Sequence, residues 1–201
     1  MQTGALVLCG GRSSRMGRDK ATLPFGPESM LQRIVRIISS VVDPASIVVV
    51  ASPGQILPEL PEVVRIAHDQ RPDRGPLEGV VAGLRKLPSH VEAVYVASCD
   101  CPLIVPEFVE IMFQLLGDHD IAVPVEGPLH HPLAAVLRTG VLPVAERLLL
   151  SNRLSPRGLY TELSTVEVPI DALRCVDENL STLMNVNTPE SYSAALTAAG
   201  F

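Results

Sequence analysis

The sequence is poor in aromatic residues and has no excess of positive charge. Among its 201 residues there is no tryptophan, aromatic residues make up 3%, and the formal net charge is −6. Proteins that bind single-stranded nucleic acid stack bases on aromatic side chains, and most nucleic-acid surfaces are basic. Composition therefore argues against a nucleic-acid partner.

Cysteines and long apolar runs are scarce as well. The four cysteines, Cys9, Cys99, Cys101 and Cys175, form no C-x-x-C pair, and we expect reduced thiols rather than a disulfide framework. The apolar stretch at residues 5–9 has no basic segment before it and stops at two glycines, so it predicts neither a signal peptide nor a membrane span. We expect a cytoplasmic protein with no membrane partner.

What the sequence does contain is an alternation of short apolar runs with helical patterns. Hydrophobic residues make up 47%, enough to bury a core without disulfides or metal. The predicted strands are residues 5–9, 47–51, 63–67, 93–98, 121–125 and 133–137, and the predicted helices are residues 30–41, 77–87, 106–117, 139–150 and 189–199. This order predicts a single α/β domain over residues 1–201, with a mostly parallel central sheet flanked by helices.

The densest functional signal is the loop after the first predicted strand. Gly10 and Gly11 let the backbone approach a ligand closely, and Ser13 adds a hydroxyl donor. Four cations stand within nine residues of this loop: Arg12, Arg15, Arg18 and Lys20. Such donors suit a polyphosphate, although a solvated basic turn is the alternative. The loop has neither the G-K-[ST] of a Walker A motif nor G-x-G-x-x-G.

Two carboxylates follow predicted strands, at the edge where α/β sheets bind ligands. Asp69 precedes a Gly75-Pro76 break and a helix, where it either contacts a ligand or caps the helix entry. Asp100 follows residues 93–98. A strand-end aspartate alone is more often a cap, but beside a phosphate loop it favours binding of Mg²⁺, which takes carboxylate and phosphate oxygens.

The C-terminal third offers weaker signals. His130 and His131 suggest a metal site, but neighbouring strand residues point to opposite faces, which disfavours zinc. Residues 152–157 carry two arginines that either form a solvated turn or hold the phosphate of an anionic acceptor. Near the end, alternation in a predicted strand places Asn185 and Asn187 on one face, before a helix capped by Thr188.

These segments together resemble the molybdenum cofactor guanylyltransferases of the sugar-nucleotidyltransferase-like superfamily. The loop at residues 8–20 resembles their L-x-G-G-x-S-x-R-M-G-x-D-K signature, residues 75–79 their G-P-L-x-G, and residues 185–190 their N-V-N-T-P-E. The resemblance covers nearly the whole chain and implies a Rossmann-like nucleotidyltransferase fold. It departs at Cys9, where alanine is usual, and at residues 52–54, where the family often has Asn or Arg.

The resemblance implies an enzyme that transfers GMP from GTP to the phosphate of the molybdopterin cofactor and releases pyrophosphate, with Mg²⁺ as cofactor. It implies catalytic roles for Arg15, Lys20 and Asp100, with Asp100 as the metal ligand. The implied binding residues are Leu8, Cys9, Gly10, Gly11, Arg12, Ser13, Lys20, Asp69, Gly75, Asp100, Asn185 and Asn187. The N-terminal half would bind nucleotide and the C-terminal third the acceptor, with transient contacts to cofactor-synthesis proteins and molybdoenzymes.

Three alternatives stay open from the sequence. A molybdenum cofactor cytidylyltransferase usually reads L-A-A-G and lacks G-P-L-x-G, so Gly10-Gly11 and residues 75–77 favour guanine. A second alternative is a nucleotidyltransferase that acts on a sugar phosphate or polyol phosphate. The third is a non-catalytic carrier of molybdopterin or nucleotide, against which Lys20 and Asp100 argue.

Overall fold

Short runs of buried aliphatic residues form the strands. The computed structural model describes residues 1–10, 19–69 and 75–201. Its strands are β1 (Thr3–Leu8), β2 (Pro24–Phe25), β3 (Glu28–Ser29), β4 (Ile47–Ala51), β5 (Arg65–His68), β6 (Ala93–Ser98), β7 (Ile121–Glu126), β8 (Leu129–His130), β9 (Val136–Arg138) and β10 (Thr165–Pro169).

Each helix begins at a proline, directly beside one, or at a side-chain cap. They are α1 (Met30–Ile38), α2 (Pro76–Lys86), α3 (Pro106–Leu115), α4 (Leu142–Leu150), α5 (Arg157–Glu162), α6 (Ile170–Leu173) and α7 (Pro189–Ala198). Ser29 and Thr188 each form a capping box with the residue three positions on, at the starts of α1 and α7. These reciprocal bonds satisfy backbone N–H groups that a helix start leaves unpaired. No helix in the described parts of the chain is long and apolar enough to cross a membrane.

The large sheet has the order β10-β7-β9-β6-β1-β4-β5, and β8 pairs with β7. β1 lies in its interior, parallel to β4 and β6, and β4 is parallel to β5. β9 runs antiparallel to both β6 and β7. The predicted mostly parallel sheet is confirmed, with β9 as an antiparallel insertion that periodicity did not indicate.

Helices cover both faces of this sheet. Ala5 and Val7 of β1 belong to one hydrophobic cluster, which contains residues of α1 and α3. Leu6 and Leu8 belong to the other, with residues of α2 and α4. Because successive strand residues point to opposite faces, a continuous apolar strand signals burial on both sides. The carboxyl ends of the central strands remain open for ligands.

Several element predictions need correction. β5 begins at residue 65 rather than 63. The predicted strand at residues 133–137 is a short 3₁₀ turn, Pro132–Ala134, followed by β9, since Pro132 has no N–H to give to a ladder. The predicted strand before Asn187 is a 3₁₀ turn, Ser181–Leu183, and then a loop. The hairpin of β2 and β3, and α5, β10 and α6, were not predicted.

Candidate active site

Backbone hydrogen bonds extend the central strands past their ends and gather the candidate residues at one edge of the sheet. The Cys9 N–H donates to the Val50 oxygen (2.8 Å), and the Cys99 N–H donates to the Leu8 oxygen (3.0 Å). The Asp69 N–H donates to the Ala51 oxygen (3.1 Å). The loops after β1, β5 and β6 therefore begin side by side, as ligand-binding loops do in parallel α/β sheets.

Lys20 connects two of the predicted residues at this edge. Its Nζ lies 3.3 Å from Asp100 Oδ2 and donates to Asn187 Oδ1 at 2.6 Å. The Lys20 and Asp100 side chains are only 14% and 19% exposed, so the pair is partly shielded but still open to a ligand. A partly buried cation beside a carboxylate and an amide forms a compact polar centre that can bind phosphate oxygens.

Neighbouring bonds fix the position of Lys20. Asp19 caps the 3₁₀ turn Lys20–Thr22 by accepting from the Ala21 N–H at 2.9 Å. Gln55 Nε2 donates to the same Asp19 oxygen (3.0 Å) and to the Cys9 carbonyl oxygen (3.2 Å). Gln55 thus ties the loop after β4 to the end of β1 and to the turn that carries Lys20. Sequence reasoning missed Gln55, although its place in the loop after a buried strand could have indicated it.

The loop between Leu183 and α7 lies directly against Asp100. The N–H of Val186, itself buried, donates to the Asp100 carbonyl oxygen at 2.7 Å. Asn185 Oδ1 lies 3.2 Å from Cys101 Sγ, while Asn187 bonds Lys20. Asn185 therefore contacts the residue that follows Asp100, and Asn187 contacts the cation that bonds Asp100. The prediction that they share a strand face is wrong, because this segment is a loop held by Val186.

One oxygen of the Asp69 carboxylate, Oδ1, is buried and has no hydrogen-bond partner among the described residues. Burial raises the pKa of Asp69, the charge of Glu78 raises it further, and His68 opposes the shift. A Cβ at Gly10 would lie 2.8 Å from Asp69 Oδ2, and one at Gly79 would lie 3.4 Å from Oδ1. The glycines thus place no side chain against a carboxylate whose Oδ1 is paired by no described residue, which marks Asp69 as a candidate ligand-binding group.

The remaining predicted residues divide into three groups. The side chains of Leu8 and Cys9 are buried in the core, so only their backbone can meet a ligand. Gly75 adopts a left-handed φ of 75° before α2, a conformation that favours glycine. The other predicted loop residues lie outside the described residues: Gly11, Arg12, Ser13 and Arg15.

The candidate arginines and histidines of the C-terminal third lie against acidic side chains or a backbone oxygen. Arg153 Nη1 contacts Glu162 Oε1 at 2.6 Å, and Arg157 Nη2 donates to the Pro128 oxygen at 3.3 Å. His130 Nε2 lies 2.9 Å from Glu167 Oε1, and His131 Nε2 lies 3.9 Å from Glu126 Oε2. Within residues 1–10, 19–69 and 75–201, no three His, Cys, Asp or Glu side chains group into a metal site.

The donor set around Asp100 nevertheless suits Mg²⁺. Asp100 offers a half-buried carboxylate, and the amide oxygens of Asn185 and Asn187 contact its neighbours Cys101 and Lys20. Mg²⁺ is usually held in phosphate-transferring sites by one or two carboxylates, with water and substrate phosphates completing its coordination. A single carboxylate with hard oxygen neighbours is therefore sufficient, and a three-residue cluster is not required.

Known proteins are similar to this chain over most of its length. Residues 5–166 match the family described as the MobA-like NTP transferase domain. A protein of Methanosarcina acetivorans named "probable molybdenum cofactor guanylyltransferase" is 33% identical over 204 residues, covering 96% of this chain and 89% of its own length. A Mycobacterium avium protein with the same name is 33% identical over 199 residues, covering 96% of this chain and 95% of its own.

Solved structures share the fold. The molybdopterin-guanine dinucleotide biosynthesis protein A of Archaeoglobus fulgidus superposes with a TM-score of 0.76 at 22% identity, covering 100% of this chain and 99% of its own. The 2-C-methyl-D-erythritol 4-phosphate cytidylyltransferase of Thermus thermophilus gives a TM-score of 0.71 at 13% identity, covering 100% of each chain. The match over most of the sequence and the identity to its relatives show that the chain is a nucleotidyltransferase and belongs to the MobA-like NTP transferase family.

Proposed function

We propose that the protein transfers GMP from GTP to the terminal phosphate of the molybdopterin cofactor and releases pyrophosphate, with Mg²⁺ held at Asp100. The observation that carries the proposal is the contact of Lys20 with both Asp100 and Asn187 at the carboxyl edge of the sheet. The guanylyltransferase names of relatives that match over nearly the whole chain support the choice of donor and acceptor.

The reaction requires the protein mainly to align the two substrates and to neutralise the charge of their phosphates. The attacking phosphate of the acceptor is already an anion, so no general base is needed. Lys20 would neutralise charge on the triphosphate, and Arg15 would add a second cation. Asp100, with Asn185 and Asn187 beside it, would hold Mg²⁺, which when bound offsets negative charge on phosphate oxygens. The rigid support of Lys20 by Asp19 and Gln55 favours preorganised alignment.

Asp69 supports guanine as the base. Its Oδ2 lies next to Gly10, and its Oδ1, which no described residue pairs, lies next to Gly79; together the two oxygens form an edge of two acceptors. Guanine presents two adjacent donors, N1–H and the N2 amino group, which match such an edge. Cytosine, adenine and uracil do not present that pair. A carboxylate that accepts two donors also recovers the hydrogen bonds that burial denies it.

The proposal divides the chain as the sequence suggested. The N-terminal half, with Lys20, Asp69 and Asp100, would bind the nucleotide, and the C-terminal third would bind the acceptor. The reaction would take place in the cytoplasm, with transient contacts to cofactor-synthesis proteins that supply the acceptor and to molybdoenzymes that receive the product.

Thermal unfolding with Mg²⁺ and each of GTP, CTP, ATP and UTP tests the donor. A ligand at about 100 times its Kd adds about 2.7 kcal/mol of stability, which for a chain of this size is a rise of several degrees. We expect GTP alone to raise Tm, and Asp69→Ala to abolish the rise. A rise with CTP would contradict the guanine assignment, and no rise with any nucleotide would contradict nucleotide binding by the free enzyme.

A further inference from the structure

Two short segments of the chain are joined at both of their ends. At one end, Lys20 Nζ donates to Asn187 Oδ1 at 2.6 Å, and at the other the Tyr192 hydroxyl donates to the Pro24 carbonyl oxygen. The first segment leads from Lys20 into the hairpin of β2 and β3, and the second leads from Asn187 into α7. The position of Lys20 relative to Asn187 therefore depends on how the hairpin is held against this helix.

A small apolar cluster lies between the hairpin and α7. It is separate from the two clusters on the faces of the large sheet, and Val186, whose N–H donates to the Asp100 carbonyl oxygen, is one of its members. Its other buried residues are Leu23, Phe25, Met30, Leu103 and Ala195, with Tyr192, Leu196 and Ala199 packed against them. The cluster thus connects the segments that carry Lys20, Asp100 and Asn187.

Phe25 is the centre of the contacts between the hairpin and α7. Its ring is fully buried and meets the ring of Tyr192 edge-on, with centroids 6.4 Å apart and an interplanar angle of 72°. The guanidinium carbon of Arg33 lies 5.0 Å from the centroid of the same ring, and Arg33 Nε donates to the Pro102 oxygen at 2.9 Å. Apolar burial holds the hairpin against the helix but is not directional. The hydrogen bond from the Tyr192 hydroxyl supplies the directional contact.

We propose that Tyr192 is a positioning residue for Lys20: by bonding the hairpin to α7, its hydroxyl keeps the ammonium group in contact with Asn187. The consequence for catalysis rests on the GMP transfer proposed above. Charge neutralisation at a phosphate depends on where the cation stands, so displacement of Lys20 lowers the rate of transfer. Pro24 is exposed, and water replaces the hydroxyl at its oxygen when the bond is lost, so the folded state loses little stability.

Tyr192→Phe tests the inference, because it removes the hydroxyl and keeps the ring. The chain has two lysines, and Lys86, which is exposed at the end of α2, is an internal reference for Lys20. We expect an N-hydroxysuccinimide ester of acetate to acylate Lys20 about threefold to tenfold faster relative to Lys86 in the variant, as loss of one hydrogen bond predicts. Mass spectrometry of peptides measures both rates, and the midpoint of urea unfolding should stay near that of wild type.

Turnover gives a second measure of the same displacement. The kcat for pyrophosphate release should fall roughly threefold or more, although by less than the ~10²-fold expected when Lys20 itself is replaced, and the KM for GTP should stay within about twofold of wild type. In an Asn187→Ala background, Tyr192→Phe should change neither kcat nor the acylation ratio further, because the contact that it maintains is already absent. A purely structural role would lower kcat by the same factor in both backgrounds.

The matched control is Thr197→Val, which removes a hydroxyl from the same helix. Thr197 is exposed and its Oγ1 donates to a carbonyl oxygen within α7 at 3.1 Å, so every parameter should keep its wild-type value. An unchanged ratio of Lys20 to Lys86 acylation in Tyr192→Phe, or a full additional effect in the Asn187→Ala background, would overturn the inference. If wild type transfers no GMP to molybdopterin, the proposed function fails, while the acylation ratio still decides whether Tyr192 positions Lys20.

Discussion

Gly10→Ala should weaken nucleotide binding without destabilising the protein. The new methyl group would lie 2.8 Å from Asp69 Oδ2 and 3.1 Å from Ser52 Oγ. Close carbon–oxygen contacts are normally about 3.3–3.6 Å, so the carboxylate must move by roughly half an ångström. Gly10 is not in the left-handed region, so alanine meets no backbone strain there.

The expected size follows from the bonds that Asp69 would make to guanine. A shift of about half an ångström takes an N–H···O bond out of its usual 2.7–3.2 Å range. Loss of one bond to a charged group costs about 1.5–3 kcal/mol, which is roughly a tenfold to hundredfold rise in the Kd for GTP. The free energy of unfolding should change by about 1 kcal/mol or less, because only the ends of the Asp69 and Ser52 side chains have to move and glycine-to-alanine changes restrict the unfolded chain.

Isothermal titration of GTP and denaturant unfolding measure the two effects separately. Gly140→Ala is the matched control, since a Cβ there meets nothing within 4 Å, and it should leave the Kd unchanged. If Gly10→Ala acts through Asp69, it should have no further effect in an Asp69→Ala background, as in any double-mutant cycle of coupled residues. A wild-type Kd for Gly10→Ala, or full additivity with Asp69→Ala, would refute the assignment of Asp69.

Three further predictions concern the charged groups and the metal. Asp100→Ala and Lys20→Met should each lower the rate of pyrophosphate release at least ~10²-fold, because each removes a preorganised charge stabiliser. Both variants should shift Tm little, because an ion pair at a partly exposed site contributes about 1 kcal/mol or less. Burial raises the pKa of Asp69 in the folded protein, so ionisation of this carboxyl group lowers the free energy of unfolding. The destabilisation is absent below the unfolded-state pKa and grows as pH rises through the folded pKa. Asp69→Asn should therefore be more stable than wild type in urea titrations at neutral pH, and the difference should vanish in acid; a difference independent of pH would contradict the shift. Chelation of divalent metal should abolish pyrophosphate release and added Mg²⁺ should restore it, whereas turnover that persists with excess chelator would contradict a metal-dependent reaction.

The sequence predicted most of the large sheet because continuous apolar strands leave a clear signal. Residues 5–9, 47–51 and 93–98 are buried on both faces, and the structure places β1, β4 and β6 there with shifts of at most two residues at an end. The antiparallel direction of β9 escaped prediction because an antiparallel insertion has the same apolar pattern as a parallel strand. β10 escaped because only Val168 among its residues is fully buried, which gives no clear periodicity.

The candidate site was predictable where residues follow strands directly. Asp69 and Asp100 follow β5 and β6, and parallel strands bring their carboxyl ends together. The contacts of Gln55 with Asp19 and Cys9 were not predictable, since they join segments far apart in the chain, although its place in the loop after β4 could have indicated the residue. Asn187 was placed near Asp100 by resemblance, but its contact with Lys20 arises from a loop, not from the strand that alternation suggested.

Turnover of the wild-type protein with molybdopterin, Mg²⁺ and each nucleoside triphosphate in turn would test the proposed GMP transfer. Pyrophosphate release and the nucleotide joined to the acceptor should be measured together. We expect equal amounts of pyrophosphate and GMP-bearing product with GTP alone, and no pyrophosphate when the acceptor is omitted. Transfer of CMP instead, or pyrophosphate release that does not depend on molybdopterin, would contradict it.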